Sequence, residues 1–410
     1  MNAQAQTPNL SKGLVFLLAT AIAIICANLY YAQPLVAQIS HALGLAPEGA
    51  GLVVTLTQIG YGVGVLFLVP LGDIVESRKL VMTMIAIAIV GLLGLAFSTQ
   101  LAPYFLAAFL TGLGASTVQV IVPYASHFAS EEKRGQVVGT LMSGLMIGIM
   151  LSRPIASLLT DLFSWHAVFV LSAVLMTLLI FTLYKLLPPR PPTNTSLRYK
   201  DLIKSMGELF VTTPILRRRG IYQGFLFGAF CLFWTATPLL LAGPGFNLSQ
   251  TAIAIFALVG VAGAVSAPFA GKAADRGWMK GATTVAMISS SLSFVISHFY
   301  PAGSTGSIAA LVVAAILLDA GITANLVLGQ RAIFSLKPEF RSRLNGLYIA
   351  MIFIGGATGS TLGAWAYARG GWDLTSLVGF AMPAIAFLYF LTERSSNKLA
   401  RSQPANTLNK

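Results

Sequence analysis

Cysteine, histidine and acidic residues are scarce in this sequence, and these shortages exclude several kinds of chemistry. The chain of 410 residues has 2 cysteines, Cys26 and Cys231, both inside apolar stretches, so we expect no structural disulfide. Its 4 histidines are scattered without metal-ligand spacing. A phosphate-binding Gly-x-x-x-x-Gly-Lys-Ser/Thr motif is also missing. We therefore expect no metal, no cofactor, no enzymatic activity and no ATP-driven transport.

Charged residues of either sign are few. They make up 10% of the chain, whereas hydrophobic residues make up 56% and the mean hydropathy is +0.78. A dozen apolar runs of roughly 18 to 26 residues are each long enough to cross about 30 Å of hydrocarbon as a helix. The runs cover residues 13–35, 51–71, 80–97, 103–128, 136–158, 168–186, 221–241, 253–269, 282–300, 308–333, 347–366 and 374–392. We expect an all-α membrane protein with twelve transmembrane helices, the first retained and not removed as a signal peptide.

Basic residues outnumber acidic ones by 26 to 13 and alternate with the apolar runs. All but two of them fall in segments on one predicted side of the membrane; the exceptions are Arg153, inside a run, and Arg369, in a predicted outer loop. The positive-inside rule assigns the basic side, and with it both termini, to the cytoplasm. The net charge of +13 is then explained by topology, without a nucleic-acid partner.

A hydrophilic central segment divides the chain into two sets of six runs. We expect a six-helix bundle over residues 1–187, a cytoplasmic loop over residues 188–219 and a second six-helix bundle over residues 220–410. An internal repeat supports this division. At an offset of 207 residues, Glu132, Arg134, Gly139, Gly114, Gly148 and Trp165 map onto Glu339, Arg341, Gly346, Gly321, Gly355 and Trp372, and at an offset of 202 Asp73 maps onto Asp275. Both copies start on the same side, an arrangement of transporters whose halves rock about a midplane site.

These features resemble the major facilitator superfamily, whose signature after the second helix is Gly-x-Leu-Ala-Asp-Arg-x-Gly-Arg-Arg/Lys. The C-terminal copy, which begins at Gly271, reads GKAADRGWMK, and the N-terminal copy keeps Asp73, Arg78 and Lys79 but has Ile74 in place of the Arg. The resemblance spans the whole chain. It implies two pseudo-symmetric bundles, a bacterial cytoplasmic (inner) membrane location, and a monomer that meets the lipid bilayer, a small-molecule substrate and protons.

A narrower resemblance points to the twelve-span bacterial drug:proton antiporter branch. It depends on residues 28–34, NLYYAQP, and on Gly144-x-x-x-Gly148, although Ile149 follows the second glycine and Ala108 stands where many proton-coupled members have an Arg. It implies secondary active transport by alternating access, with proton-coupled efflux of a small amphipathic or drug-like compound. The alternatives are a proton symporter or facilitator that imports a small metabolite, and a transport-inactive receptor or assembly partner.

Two charged residues lie well inside the apolar runs, away from the run ends. Asp319 is the one acidic residue placed mid-span, where a charge costs on the order of 3 kcal/mol. We expect it to carry the coupling proton; a structural hydrogen bond or direct substrate contact are the alternatives. Arg153 is expected in the outer third of helix five, as an anchor paired with Asp161 or in a substrate or gating role. A direct pair between Arg153 and Asp319 is not expected, because their estimated depths differ.

A central cavity lined by helices one, four, seven and ten is implied by the resemblance. Besides Asp319 and Arg153, its candidate residues are Asn28, Tyr30, Tyr31, Gln33, Gln119, Gln223, Phe230, Phe233, Trp234 and Asn325. A mostly apolar, aromatic cavity with few polar groups suits amphipathic molecules, whereas plain helix packing is the alternative for each aromatic residue. Tyr31 and Trp234 are the leading candidates because each offers a ring face and a hydrogen bond.

A cytoplasmic gate is the third implied site. Its candidate residues are Asp73, Arg78, Arg134, Gly271, Asp275, Arg276 and Arg341. The resemblance places Asp73 against the start of helix eleven and Asp275 against the start of helix five near Gln136. Because Asp275 keeps its neighbour Arg276, we expect it to hold the gate more strongly than Asp73.

Glycines at four-residue spacing predict close helix packing. Gly144 and Gly148 lie in helix five, and Gly355 and Gly359 lie in helix eleven. The alternative is a sliding contact between the two halves, because the resemblance places these helices at that boundary.

Overall fold

The computed structural model of the protein describes residues 11–192, 198–301, 303–336 and 340–394. Every regular element within these ranges is a helix, which confirms the predicted all-α class. Some residues of the sequence patterns lie outside the described residues, namely Glu339 of the repeat and the basic residues Lys337, Lys398, Arg401 and Lys410.

The described chain forms fifteen α-helices joined by turns and short 3-10 helices. They are α1 (Lys12–Ala27), α2 (Val36–Ala42), α3 (Leu52–Phe67), α4 (Ser77–Phe97), α5 (Leu101–Ala115), α6 (Val118–Phe128), α7 (Glu131–Leu162), α8 (Trp165–Leu186), α9 (Tyr199–Thr212), α10 (Pro214–Ala242), α11 (Gln250–Ala257), α12 (Ser266–Asp275), α13 (Met279–Ile296), α14 (Thr305–Phe334) and α15 (Arg341–Leu391).

Ten helical segments of the described chain are long and apolar enough to cross a membrane, so the protein is a multi-pass membrane protein. The predicted spans 347–366 and 374–392 both fall in α15, whose backbone leaves the helical conformation at Gly370 and Gly371. Gly371 has φ of 57°, a left-handed conformation that glycine adopts without steric cost. The first predicted span contains α1, which has only 16 residues. The count of twelve spans stays a prediction.

Two of the broken predicted spans lie at the site, and the expectation of continuous helices over residues 13–35 and 253–269 was wrong; residues 103–128 are also interrupted, between α5 and α6. The first changes after Ala27 into turns and a 3-10 helix, Gln33–Leu35, that contains Pro34, a residue without a backbone N–H. The second changes after α11 into a 3-10 segment, Leu258–Val265, before α12 begins. Apolar composition fixes the length of a run but not the continuity of its backbone.

The paired glycines bring together helices of the same half. A Cβ atom at Gly144 or Gly148 would collide with the backbone of Ala19 or Ala23, because α7 packs directly on α1. In the same way Gly355 and Gly359 of α15 leave no room for a side chain against α10. These glycines therefore lie within the bundles, and the alternative of a sliding contact between halves does not fit this placement.

Contacts between the two halves follow α3 and α15. The hydroxyls of Thr55 and Thr361 lie 2.9 Å apart, and the rings of Tyr61 and Phe353 stack with centroids 4.1 Å apart. A second row of contacts joins α7 to α11 and to residues 258–265. The site described below includes the place where α7 meets residues 258–265.

Helix α9 contacts both bundles from the central segment. The Tyr199 hydroxyl donates to the carbonyl of Phe67 over 2.9 Å, and Arg343 Nη1 donates to Ser205 Oγ over 3.1 Å. Leu202 and Met206 are buried, as expected for one face of an amphipathic helix.

Candidate functional site

Arg153 is buried in α7, with 2% of its surface exposed. Its Nε donates a hydrogen bond of 2.8 Å to Oε1 of Gln33, which lies in the 3-10 turn that interrupts the first span. Irregular backbone at membrane depth is tolerated where it is buried in protein or lines a cavity. The break after α1 thus places a polar side chain next to the guanidinium.

Three aromatic rings surround the Arg153 guanidinium. Its central carbon lies 4.4 Å from the ring centroid of Trp234, 4.9 Å from that of Phe230 and 5.4 Å from that of Tyr30. A cation within about 6 Å of an aromatic face is attracted by the ring quadrupole, most strongly when water is excluded. The rings come from both halves, because Tyr30 follows α1 and the other two lie on α10.

Asp319 of α14 lies beside Trp234. Its Oδ1 accepts a hydrogen bond of 3.0 Å from the indole Nε1 of Trp234, and 6% of the residue is exposed. A Cβ atom at Gly260 would lie 2.9 Å from Asp319 Oδ2, 3.3 Å from the Trp234 ring and 3.6 Å from Arg153 Nη1. The backbone of residues 258–265 therefore closes over the point where these side chains meet.

Arg153 and Asp319 approach the same point beside Gly260 and interact electrostatically. The expectation that their depths would keep them apart was wrong. Counted from Leu162 at the end of α7 and from Thr305 at the start of α14, their Cα depths differ by roughly 8 Å, a gap that the long arginine side chain spans. The proposed anchor for Arg153 is also wrong, since Asp161 accepts a hydrogen bond from Thr251 Oγ1 instead.

We call Tyr30, Gln33, Arg153, Phe230, Trp234 and Asp319 the central cluster. Four of the remaining cavity candidates lie elsewhere. Asn28 accepts a hydrogen bond from Ser172 Oγ of α8, and Tyr31 lies beside the same serine, so both belong to the interior of the first half. Asn325 donates to Gln223 Oε1 over 2.7 Å, which ties α14 to α10. The leading role expected of Tyr31 therefore has no support in its position.

Gln119 forms a separate polar layer between the halves. It donates to the Tyr61 hydroxyl over 3.0 Å and accepts from Asn345 Nδ2 over 3.4 Å. Because Asn345 lies at the start of α15, this layer is on the side of the molecule that the charge pattern assigns to the cytoplasm. Gln119 is thus placed in a contact between halves and not in the central cluster.

Several residues near the cluster were missed by the sequence analysis. Gln58 of α3 donates to Cys231 Sγ over 3.2 Å and to Ser360 Oγ over 3.3 Å, which links the first half to α10 and α15. Gly260 and Gly263 pack against Asp319. A polar glutamine and a pair of closely spaced glycines within apolar runs were the available signals.

Comparison with known proteins then identifies the family. The model described as Major Facilitator Superfamily matches residues 18–316 and 261–409. The chain belongs to the major facilitator superfamily. It is 39% identical over 379 residues to the Uncharacterized transporter YgaY of Escherichia coli, covering 92% of this chain and 95% of that protein. It is 31% identical over 358 residues to the Probable transporter SCO4007 of Streptomyces coelicolor, covering 87% and 82%.

Solved structures share this fold at low sequence identity. A peptide transporter POT in complex with alafosfalin superimposes with a TM-score of 0.75 at 15% identity, covering 96% of this chain and 98% of that chain. The nucleoside transporter NupG superimposes with a TM-score of 0.72 at 14% identity, covering 92% and 99%. The protein is therefore a membrane transporter of the major facilitator type, and relatives named as transporters argue against an enzyme.

The first copy of the superfamily loop motif meets the other half of the transporter. Asp73 ends the 3-10 turn after α3 and interacts electrostatically with Arg343 in the first turn of α15 and with Arg190 of the central segment. Arg78 lies over the Tyr184 ring, with its guanidinium carbon 4.8 Å from the centroid, and donates to the Tyr184 carbonyl. This copy therefore contacts the start of α15, as the superfamily resemblance implied.

The charged residues of the second copy of the motif have their partners within their own half. Asp275 forms an ion pair with Arg331 near the end of α14, and Arg276 lies over the ring of Trp278. The expected contact of Asp275 with the start of helix five near Gln136 is wrong, because a cation of the same bundle is closer to this carboxylate.

The remaining gate candidates add little to this junction. Arg134 is exposed and donates to the Ser126 carbonyl over 3.3 Å, and Arg341 is exposed at the start of α15. A Cβ atom at Gly271 would meet open space among the described residues.

Proposed function

We propose that this transporter is a proton-coupled secondary carrier that works by alternating access in the cytoplasmic membrane of a bacterium. In this proposal its twelve spans form two six-helix bundles over residues 1–187 and 220–410, linked by residues 188–219, with both termini in the cytoplasm. The break at Gly370 and Gly371 supports counting α15 as two spans, and α1 with the turns and α2 after it supplies the first. The distribution of basic residues supports the orientation.

The single observation that carries the proposal is that the central cluster is built from both halves. Arg153, Gln33 and Tyr30 come from the first half, whereas Trp234, Phe230 and Asp319 come from the second. Rocking of the halves would separate Arg153 from Asp319 and rebuild the cluster in each cycle. Alternating access at a site between repeats has this requirement.

Asp319 is the group that we propose carries the coupling proton. It is a buried acid that meets a permanent cation, and its hydrogen bond to Trp234 uses an acceptor oxygen. Protonation would remove its attraction for Arg153, so proton binding would change how strongly the two halves hold each other. A titrating carboxylate between two moving bodies can therefore couple proton flow to the cycle.

The substrate that we propose is a small organic compound, bound where the aromatic rings surround Arg153. Two directions follow from the sequence: export in exchange for protons, as in the drug:proton antiporter branch, and import together with protons. The aromatic lining supports an amphipathic compound in either case. A transport-inactive receptor is a third possibility, and it would show binding without translocation.

Proton movement in proteoliposomes tests this proposal. Vesicles with a trapped pH indicator are challenged with a panel of small organic anions, cations and neutral compounds. We expect at least one compound to drive proton movement through the wild type and the Asp161→Asn control, but not through Asp319→Asn. Proton movement against the compound supports exchange, and movement with it supports symport. A compound that crosses with no proton movement contradicts the coupling.

A further inference from the structure

The central cluster contains hydrogen-bond donors that its own residues leave unused. Arg153 Nη2 and Gln33 Nε2 are both buried without a hydrogen-bond partner among the described residues. Both belong to side chains that are already joined, because Arg153 Nε donates to Gln33 Oε1 over 2.8 Å. Buried donors without acceptors are rare because leaving them unpaired is costly. Two such donors on bonded neighbours indicate an acceptor that is not part of the chain.

The donors are chemically matched to an anion. A guanidinium presents its N–H groups in a planar fork that suits carboxylates and phosphates, and it keeps its charge at every physiological pH. The faces of the Arg153 guanidinium are occupied by aromatic rings, so the edge that carries Nη2 is the part left for a ligand. A side-chain amide beside it adds a second, neutral donor.

The charge of the cluster decides between an anion and a cation. Asp319 is the acidic residue whose charge acts on Arg153, and the other titratable side chains that act on it are Tyr30 and Cys231. Residues 258–265, which close over Asp319, contain no titratable side chain. The cluster is therefore neutral when Asp319 is ionised and carries one positive charge when Asp319 is protonated.

A buried net charge is unfavourable, so each state of Asp319 favours a different occupant. When Asp319 is protonated, a monovalent anion restores neutrality and takes the place of the carboxylate beside Arg153. A cationic substrate would have to bind next to a permanent guanidinium, which repels it. Proton and anion therefore bind together, whereas proton and cation would not.

From these observations we propose that the substrate is a small monovalent organic anion, with a carboxylate or similar group held by Arg153 and Gln33 and an apolar body against Trp234 and Phe230. Its binding accompanies protonation of Asp319, so that proton and anion cross in the same direction. This inference rests on the proposed function, and it favours the symport direction over export by exchange.

Binding of matched compounds to the purified full-length transporter tests the inference. Each set keeps one body and varies the head group: phenylacetate, phenylacetamide and phenethylamine; hexanoate, hexanamide and hexylamine; and the corresponding indole series. Titration calorimetry at about pH 6 and about pH 8 keeps the carboxylates ionised. We expect a carboxylate to bind at least tenfold more tightly than its amide and amine partners, and more tightly at the lower pH.

Three variants make the test specific. Asp319→Asn mimics the protonated acid, so it should bind the carboxylate at both pH values with no pH dependence. Gln33→Leu should weaken carboxylate binding several-fold, and Arg153→Gln should abolish it. Arg369→Gln, an arginine outside the cluster, is the control and should bind as the wild type does. Because Asp319→Asn is predicted to retain binding, a misfolded Arg153→Gln does not leave the inference untested.

Two binding results would contradict the inference. If in every set the carboxylate binds no more tightly than the amide and the amine, or if Asp319→Asn loses carboxylate binding while it stays folded, the inference is wrong. The proposed function fails separately, when a transported compound crosses the proteoliposome membrane without proton movement. An amine that binds best and is exchanged for protons would overturn the inference and leave the proposed function intact.

Discussion

Arg153 and Asp319 illustrate how two charged residues are accommodated inside an apolar bundle. A charge at the bilayer centre costs on the order of 3 kcal/mol by insertion scales. Here the guanidinium has an amide acceptor, three aromatic rings and a nearby carboxylate, and the carboxylate has an indole donor. These contacts offset the cost only while the halves are together, so opening of the site exposes charges that need a proton or a ligand.

Trp234 contacts both charged residues. The first residue-level prediction concerns the hydrogen bond that its indole N–H donates to Asp319. Trp234→Phe keeps an aromatic ring but removes the donor to Asp319. Because the acceptor is a carboxylate, we expect a loss of about 1.5 to 3 kcal/mol in stability. Trp372→Phe is a matched control, since Trp372 Nε1 donates to the neutral Ser297 Oγ over 2.9 Å.

The measurement is the apparent unfolding temperature of both variants in the same detergent and at the same scan rate. The unfolding temperature of Trp234→Phe should fall further below that of the wild type than the unfolding temperature of Trp372→Phe does. An equal or smaller decrease in Trp234→Phe would show that its bond to Asp319 has no special strength.

Gly260 provides the second residue-level prediction. Gly260→Ala places a methyl group 2.9 Å from Asp319 Oδ2 and 3.3 Å from the Trp234 ring. We expect a cost of about 1 to 3 kcal/mol from overpacking and loss of proton-coupled transport. Gly271→Ala, where the methyl group meets open space, should be tolerated. Thermal stability and proteoliposome transport check both, and unchanged transport in Gly260→Ala contradicts the close packing at the cluster.

The sequence revealed the charged residues of the site more reliably than their partners. Asp319 and Arg153 stand out because charges inside apolar runs are rare, and that signal needs no structure. Their proximity could not be predicted, because it depends on the relative depth of α7 and α14 and on side-chain length. Gln33 was a candidate, but its contact with Arg153 results from the turn after α1, which composition does not encode.

At the scale of elements, breaks in two helices shape the site. The turns after α1 carry Tyr30 and Gln33, and residues 258–265 between α11 and α12 carry Gly260. Hydropathy predicted both segments as uninterrupted spans, since it responds to apolar content and not to backbone conformation. Pro34 and the closely spaced glycines are the local causes. Both irregular segments lie at the central cluster, where residues of the two halves meet.

The two loop motifs give the element-level prediction. Asp73 meets the start of α15 across the halves, whereas Asp275 pairs with Arg331 inside its own half. Asp73→Asn should therefore open the cytoplasmic side more than Asp275→Asn, the reverse of the expectation from sequence. The probe is maleimide labelling of Gln119→Cys, which lies in the polar layer between the halves, in a background with Cys26 and Cys231 replaced.

Labelling of Gln119→Cys is compared after adding either Asp73→Asn or Asp275→Asn to the same protein. Faster labelling in Asp73→Asn than in Asp275→Asn agrees with the electrostatic partners of the two acids, and Glu48→Gln, in a predicted outer loop, serves as the control. Faster labelling in Asp275→Asn would restore the sequence-based interpretation, and equal labelling in both would contradict that interpretation and the present prediction alike.

At the scale of the whole molecule, the fold follows from composition and repetition. Apolar run length predicted an all-α membrane protein, and the family match and the structural similarity confirm a transporter of the major facilitator type. Tertiary packing decides which face of each span contacts its neighbours, and the sequence does not give that packing. For this reason the sequence located candidate cavity residues such as Asn28 and Tyr31 on the correct span but not on the correct face.

Topology is the whole-molecule prediction. Reporter fusions after Lys200 and Lys280 should report the cytoplasm, and fusions near Gly245 and Pro301 should report the outside, because basic residues in short loops are retained in the cytoplasm. Paired reporters, one active only inside and one only outside, give each position its own control. An outside signal at Lys200 would contradict the arrangement of two bundles with six spans each.

The central claim is that Asp319 couples proton flow to substrate movement at a site shared by both halves. Proteoliposomes measure it directly when one labelled substrate is followed in two ways, as accumulation driven by a pH gradient and as counterflow without one. The account predicts that Asp319→Asn loses gradient-driven accumulation but keeps at least part of its counterflow, with Asp161→Asn matching the wild type in both. Accumulation by Asp319→Asn with the pH dependence of the wild type would contradict it.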